Sequence, residues 1–91
     1  MTDLTRDADI RNTKGLHARA AAKFCKTAGQ FNADVRVSKG GPEVSGSSIM
    51  GLMMLGAALG DHITISASGD GAEQAVATLA ELVEARFHEA E

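Results

Sequence analysis

Apolar residues recur along this chain with two periods, one position in two and roughly one in 3.6, and the switches between them divide it into elements. In the run 4–11, Leu4, Ala8 and Ile10 share a face with Arg6 while Thr5, Asp7, Asp9 and Arg11 share the other, which predicts a first strand. Asn12-Thr13-Lys14-Gly15 then breaks the pattern. Good helix formers follow from Ala18 to Ala28, with Ala18, Ala21, Ala22, Cys25 and Ala28 at helical spacing. A helix is expected to begin at or just after His17 and to stop at Gly29, with Phe31 packing back on it.

Ala33, Val35 and Val37 alternate with Asp34, Arg36 and Ser38, and Gly40-Gly41-Pro42 turns the chain into a short strand around Glu43 to Ser45. Ser47 and Ser48 can each cap a second, Met-rich helix over Ile49 to Leu55, bracketed at its end by Gly56 and Gly60. His62 to Ser68 alternates again, with Ile63, Ile65 and Ala67 on one face. After Gly69-Asp70-Gly71, Asp70 and Glu73 form an acidic variant of the capping box. Ala72, Ala75, Val76, Leu79, Leu82, Val83 and Phe87 then make one apolar stripe. The order β-α-β-β-α-β-α, in strands with one apolar and one polar face, predicts an α+β open-faced sandwich. Its four-stranded antiparallel sheet would be covered on one side by three helices.

At 91 residues the chain can bury one core but has no room for an enclosed chamber, so a single domain over 1–91 with its chemistry at the surface is expected. A formal charge of −3, no Lys/Arg-rich run, no Trp or Tyr and only three Phe argue against nucleic acid as a partner. No apolar stretch approaches the roughly 20 residues of a membrane span, so no membrane insertion is expected. The N-terminus lacks the basic-then-apolar order of a signal peptide, and a cytoplasmic monomer is expected. One cysteine and three scattered histidines lack the paired spacing of a metal site, and neither metal nor cofactor is implied. Cys25 reads as a small buried hydrophobe of low reactivity, and His62 and His88 as surface histidines.

Lys14-Gly15-Leu16-His17-Ala18-Arg19 places a histidine at a helix mouth behind a glycine. The first N–H groups of a helix, here those of Ala18 and Arg19, lack intrahelical partners and lie at the positive end of its dipole, so a phosphate on His17 would find donors ready. A ring with an unperturbed pKa of about 6.5 is largely neutral near pH 7 and can act as a nucleophile. Arg19 offers a charged planar fork for phosphate oxygens, and Gly15 would let an incoming partner approach closely. By spacing alone, a lone histidine at a helix start is more often a solvated or capping residue.

Gly15-Leu16-His17-Ala18-Arg19 resembles the phosphorylation motif of the HPr family, the histidine-containing phosphocarriers of the bacterial phosphotransferase system. Ser48 to Gly56 is similar to the second motif of that family, Ile63 to Gly69 resembles the strand after it, and the order of elements agrees over nearly the whole chain. The resemblance implies an HPr-like fold with His17 phosphorylated on Nδ1 and Arg19 assisting transfer. Enzyme I, charged by phosphoenolpyruvate, would be the donor and an enzyme IIA-type protein the acceptor. It implies a relay with no turnover of its own. The family pattern has proline after the arginine; Ala20 here lacks the fixed φ and restores an N–H, which bears on detailed geometry.

A short helix cannot turn Ile49, Met50, Met53, Leu52 and Leu55 inward together. Leu52 and Leu55 are assigned to the core. Ile49, Met50 and Met53, which match the family's contact patch, are assigned to docking. Lys23 and Lys26, with Lys14 and Arg19, would draw an acidic partner to that patch. Ser48 matches the serine that an HPr serine kinase/phosphatase modifies in some relatives, while its plain role is to cap the helix. Two other readings stand beside this one. The first is the regulatory nitrogen-related branch, which signals metabolic state and does not drive sugar transport. The second is an α+β binding module in which His17 only caps a helix. A metal-dependent enzyme lacks any Asp/Glu/His cluster.

Overall fold

The computed structural model describes residues 4–89. Strands β1 (Leu4–Asp9), β2 (Asp34–Ser38), β3 (Val44–Ser45) and β4 (His62–Ser68) form one antiparallel sheet in the order β1-β4-β2-β3. Helices α1 (Ala18–Ala28), α2 (Ile49–Met54) and α3 (Ala72–Glu84) complete the expected order. Register brings apolar positions of one face together: Ala8 opposite Ile63, Val35 opposite Ala67, Val37 opposite Ile65. All six are buried, and with the inner faces of the helices they make one core. The result is the antiparallel open-faced sandwich that the alternating strands call for.

Four local expectations change. The buried stripe of α1 is Ala20, Ala21, Phe24 and Ala28, while Ala18 and Ala22 are exposed and Cys25 is half-buried. Alanines on every side made several stripes look equivalent. Phe24 decides between them, because burying its ring contributes about 2–3 kcal/mol and an alanine far less. Leu4, at the sheet edge, stays exposed despite sharing the face of Ala8. Asp70 does not cap α3. The N-cap is Gly71, entered at φ 78° with no side-chain bond, so Asp70 lies one residue outside the helix. Lastly, Phe87 is buried but not on α3. The helix ends at Glu84, and Arg86, Phe87 and His88 take φ of 60°, 54° and 58°, a left-handed turn that swings the ring back into the core.

The second helix has six residues, too few to stand alone, and buries only Leu52 completely. The Ser48 hydroxyl caps it, accepting from the Gly51 N–H at 2.9 Å, while the Ser47 hydroxyl turns to that of Ser45 at 3.1 Å. Leu55, expected in the core, is partly buried against it.

Candidate functional site

The approach to α1 is fixed by the loop 56–61. Gly15 has φ 65°, and a Cβ there would lie 2.5 Å from the Ala57 carbonyl oxygen and 2.9 Å from the Ala58 Cα. The glycine is therefore needed for close contact within the chain, and it is buried, so the expectation that it opens the backbone to a partner is corrected. The Leu16 N–H donates to the Ala57 carbonyl at 2.9 Å, and the buried Leu16 side chain anchors the next residue. The loop is itself tied down: the Asp61 carboxylate accepts from the Ala58 N–H at 2.9 Å and pairs with Lys39 at 3.1 Å, and the Ile10 N–H donates to the Asp61 carbonyl at 2.8 Å. The Ala58 N–H bond, then Lys39, hold the Asp61 carboxyl below its ordinary value.

His17 thus arrives at the N-cap of α1 with extended backbone, φ −77° and ψ −179°, and its ring makes no capping bond. The first helical hydrogen bond is Ala21 N–H to the His17 carbonyl at 2.8 Å, which leaves the N–H groups of Ala18, Arg19 and Ala20 at the open mouth. The ring instead contacts the far end of the chain: Nε2 lies 2.5 Å from Glu89 Oε2. Burial pushes the Glu89 carboxyl up, but hydrogen bonds from His17 and Asn12, with the charges of His17 and Arg19, outweigh it and hold the group below its ordinary value. An ionised carboxylate only accepts, so Nε2 carries the hydrogen. Nδ1 has no hydrogen bond among the described residues.

Asn12 is wholly buried and donates from Nδ2 to the Gly15 carbonyl at 2.7 Å and to Glu89 Oε1 at 3.0 Å, while its own Oδ1 has no partner among the described residues. Lys23 donates to the Phe87 carbonyl at 2.8 Å and so holds the left-handed turn that delivers Glu89. Such a conformation costs roughly 1–2 kcal/mol per non-glycine residue. The buried Phe87 ring and the Lys23 bond offset that cost. Asn12 and Glu89 carried no signal in the sequence. The first sits in a stretch that reads as turn punctuation, the second was not singled out, and Glu89 lies 72 positions from His17. Lys23, read as part of a positive field, has this second engagement.

Arg19 is exposed and makes no hydrogen bond or ion pair among the described residues, so its fork is available. Ala20 is buried against the core at 1% exposure, fits the first turn and leaves an additional N–H there. Lys14 and Lys26 are exposed, as are His62 and His88. Helix α2 packs against α1 and presents Ile49, Met50 and Met53 to solvent, joined by Met54, exposed at 80%, and nearby Leu59. Neither of the last two was singled out in the sequence. Ser48, at the base of this patch, is half-buried. Among the described residues no helix is long and apolar enough to cross a membrane.

An open-faced sandwich with a half-buried histidine at a helix mouth suits a phosphoryl carrier, which needs a surface handle and no chamber. The family model described as "PTS HPr component phosphorylation site" matches residues 4–85. The phosphocarrier protein HPr of Cupriavidus necator is 43% identical over 97% of this chain and 99% of its own. The phosphocarrier protein NPr of Shewanella violacea is 40% identical over 99% of each. A crystal structure of HPr from Thermoanaerobacter tengcongensis superposes with a TM-score of 0.86 at 41% identity, covering 100% of both chains. The chain belongs to the HPr family and is a phosphocarrier of the phosphotransferase system, and its partners belong to that system.

Proposed function

We propose that this chain, as one domain over 1–91, accepts a phosphoryl group on His17 Nδ1 from charged enzyme I and passes it to an enzyme IIA-type protein in the cytoplasm. The observation that carries this reading is the His17 ring. It sits at the N-cap without capping and has Nε2 occupied, and among the described residues Nδ1 is unbonded and the N–H groups of Ala18 and Arg19 at the helix mouth are unpaired. Those donors and the helix dipole suit a phosphoryl oxygen, and the unpartnered Arg19 fork suits the charge that develops in transfer. The group enters and leaves by the same nitrogen, so the protein is a relay without turnover. The exposed Ile49, Met50 and Met53 supply an apolar docking face. Arg19, Lys23 and Lys26 supply the positive field that favours an acidic partner. The half-buried Ser48 beside that face is the site a serine kinase would modify.

The test is incubation with enzyme I and phosphoenolpyruvate, followed by intact mass. The wild type gains one acid-labile, alkali-stable phosphoryl group, His17→Ala gains none while keeping its fold, and Arg19→Ala is charged about tenfold more slowly or worse. Normal labelling of His17→Ala would sink the assignment.

A further inference from the structure

The protein group bonded to the His17 ring is a carboxylate from the opposite end of the chain, and three separate features hold it there. Its Oε2 meets Nε2 at 2.5 Å. Its Oε1 accepts from Asn12 at 3.0 Å, and the same Asn12 Nδ2 grips the Gly15 carbonyl at 2.7 Å, so carboxylate and histidine are fixed from one loop. Glu89 reaches this point through three consecutive non-glycine residues at positive φ, held by the buried Phe87 ring and by Lys23. A solvated acid would need none of this.

We infer that Glu89 is the positioning residue of the relay, holding His17 as the Nε2–H tautomer and balancing the positive charge the ring gains when Nδ1 takes the phosphoryl group. The inference rests on the phosphocarrier reading and deepens it. In charging, the Nδ1 lone pair forms the N–P bond while the bond from phosphorus to the donor breaks and the donor atom keeps its electron pair. The proton stays on Nε2. The ring is now a cation facing a carboxylate, across a contact whose two side chains are mostly shielded from water. In discharge the acceptor's nucleophile takes phosphorus, the N–P pair returns to Nδ1, and the ring is neutral again.

His17 therefore needs no general base to be charged and no general acid to be discharged. Both directions use the same arrangement, as a two-way relay requires. The division of labour is that of a carboxylate behind a catalytic histidine in a hydrolytic triad, which fixes the tautomer and stabilises the imidazolium without taking the proton. Without Glu89 the ring is free to adopt the Nδ1–H tautomer, which has no lone pair to offer, and the cation has no counter-charge.

The experiment compares full-length wild type, Glu89→Ala and Glu89→Gln for initial rate of charging by enzyme I and phosphoenolpyruvate, with final stoichiometry by intact mass. The His17 ring tautomer is read from nitrogen-15 NMR. Glu89→Ala should still take one phosphoryl group but at least about tenfold more slowly, with a raised Nδ1–H fraction. Glu89→Gln keeps an acceptor for Nε2–H and should keep the tautomer, yet stay slow because the charge is gone. That combination separates an electrostatic role from loss of tail structure. Rates within about twofold of wild type in both variants, or a slow Glu89→Ala with an unchanged tautomer, overturn the inference. A wild type that takes up no phosphoryl group overturns the phosphocarrier reading and this inference together, whereas a wild type charged no faster than Glu89→Ala overturns this inference alone.

Discussion

Gly15 answers two demands that no other residue type meets together: a backbone at φ 65°, and a neighbour where a Cβ would stand, the Ala57 oxygen at 2.5 Å. The atoms that Cβ would meet, the Ala57 oxygen and the Ala58 Cα, are both backbone, so neither can swing aside. Gly15→Ala should cost about 2–4 kcal/mol by urea unfolding and should slow charging of His17 as well, since the displaced loop carries the helix mouth with it. A variant that unfolds like wild type would show that the loop has slack. The motif residues marked this stretch as special, but the partner of Gly15 could not be read from them. Ala57 lies beyond two strands and two helices in sequence, and nothing about an alanine announces a carbonyl that must be approached. Cys25 shows the same limit more mildly. It belongs to the flank of α1, half-buried, where burial raises the thiol above its ordinary value and lowers its reactivity.

At the scale of elements, periodicity and punctuation located every strand and the first two helices to within a residue or two, because the strands have one wet face and a glycine or serine stands beside those helix ends; the last helix, bounded by Ala85, stops three residues before Phe87. What failed was choice of face and of handedness. The helical spacing of Val83 and Phe87 fits one continuous stripe, yet three positive φ angles intervene. Tertiary contacts to Lys23 and the core override that local pattern. Ser48 is an element boundary that was legible, and it tests α2 directly. Ser48→Ala should cost about 1 kcal/mol, since the Gly51 N–H loses its acceptor. Ser48→Asp should keep the cap and most of the stability, because a negative charge suits a helix N-terminus. It should nonetheless bind enzyme I more weakly, with a deficit that shrinks at high salt, since the charge must be desolvated beside Ile49 and Met50 and faces an acidic surface. Affinity equal to wild type at low salt would mean that the docking face lies elsewhere.

The whole molecule is closed by contacts between its two ends, and that closure should respond to acid. Glu89 binds its proton less readily folded than unfolded, so its contribution is fully present above its ordinary value of 4.5 and is lost as pH falls below that value through the folded one. Asp61 acts in the same direction. Glu89→Gln removes the titration but keeps an acceptor, so wild type should exceed it by about 1 kcal/mol near pH 7, with the gap closing toward pH 3 in thermal melts. A gap that stays constant across that range would assign it to packing. The sheet order has a further consequence, for synthesis. The two neighbours of β4 in the sheet, β1 and β2, both pair with it, so a nascent chain that has not yet reached His62 holds β1 without a partner and only the short β2-β3 hairpin formed. Closure must wait for long-range pairing, the slow class of folding step. Because Glu89 comes later still, the ribosome makes His17 long before the carboxylate that meets its ring.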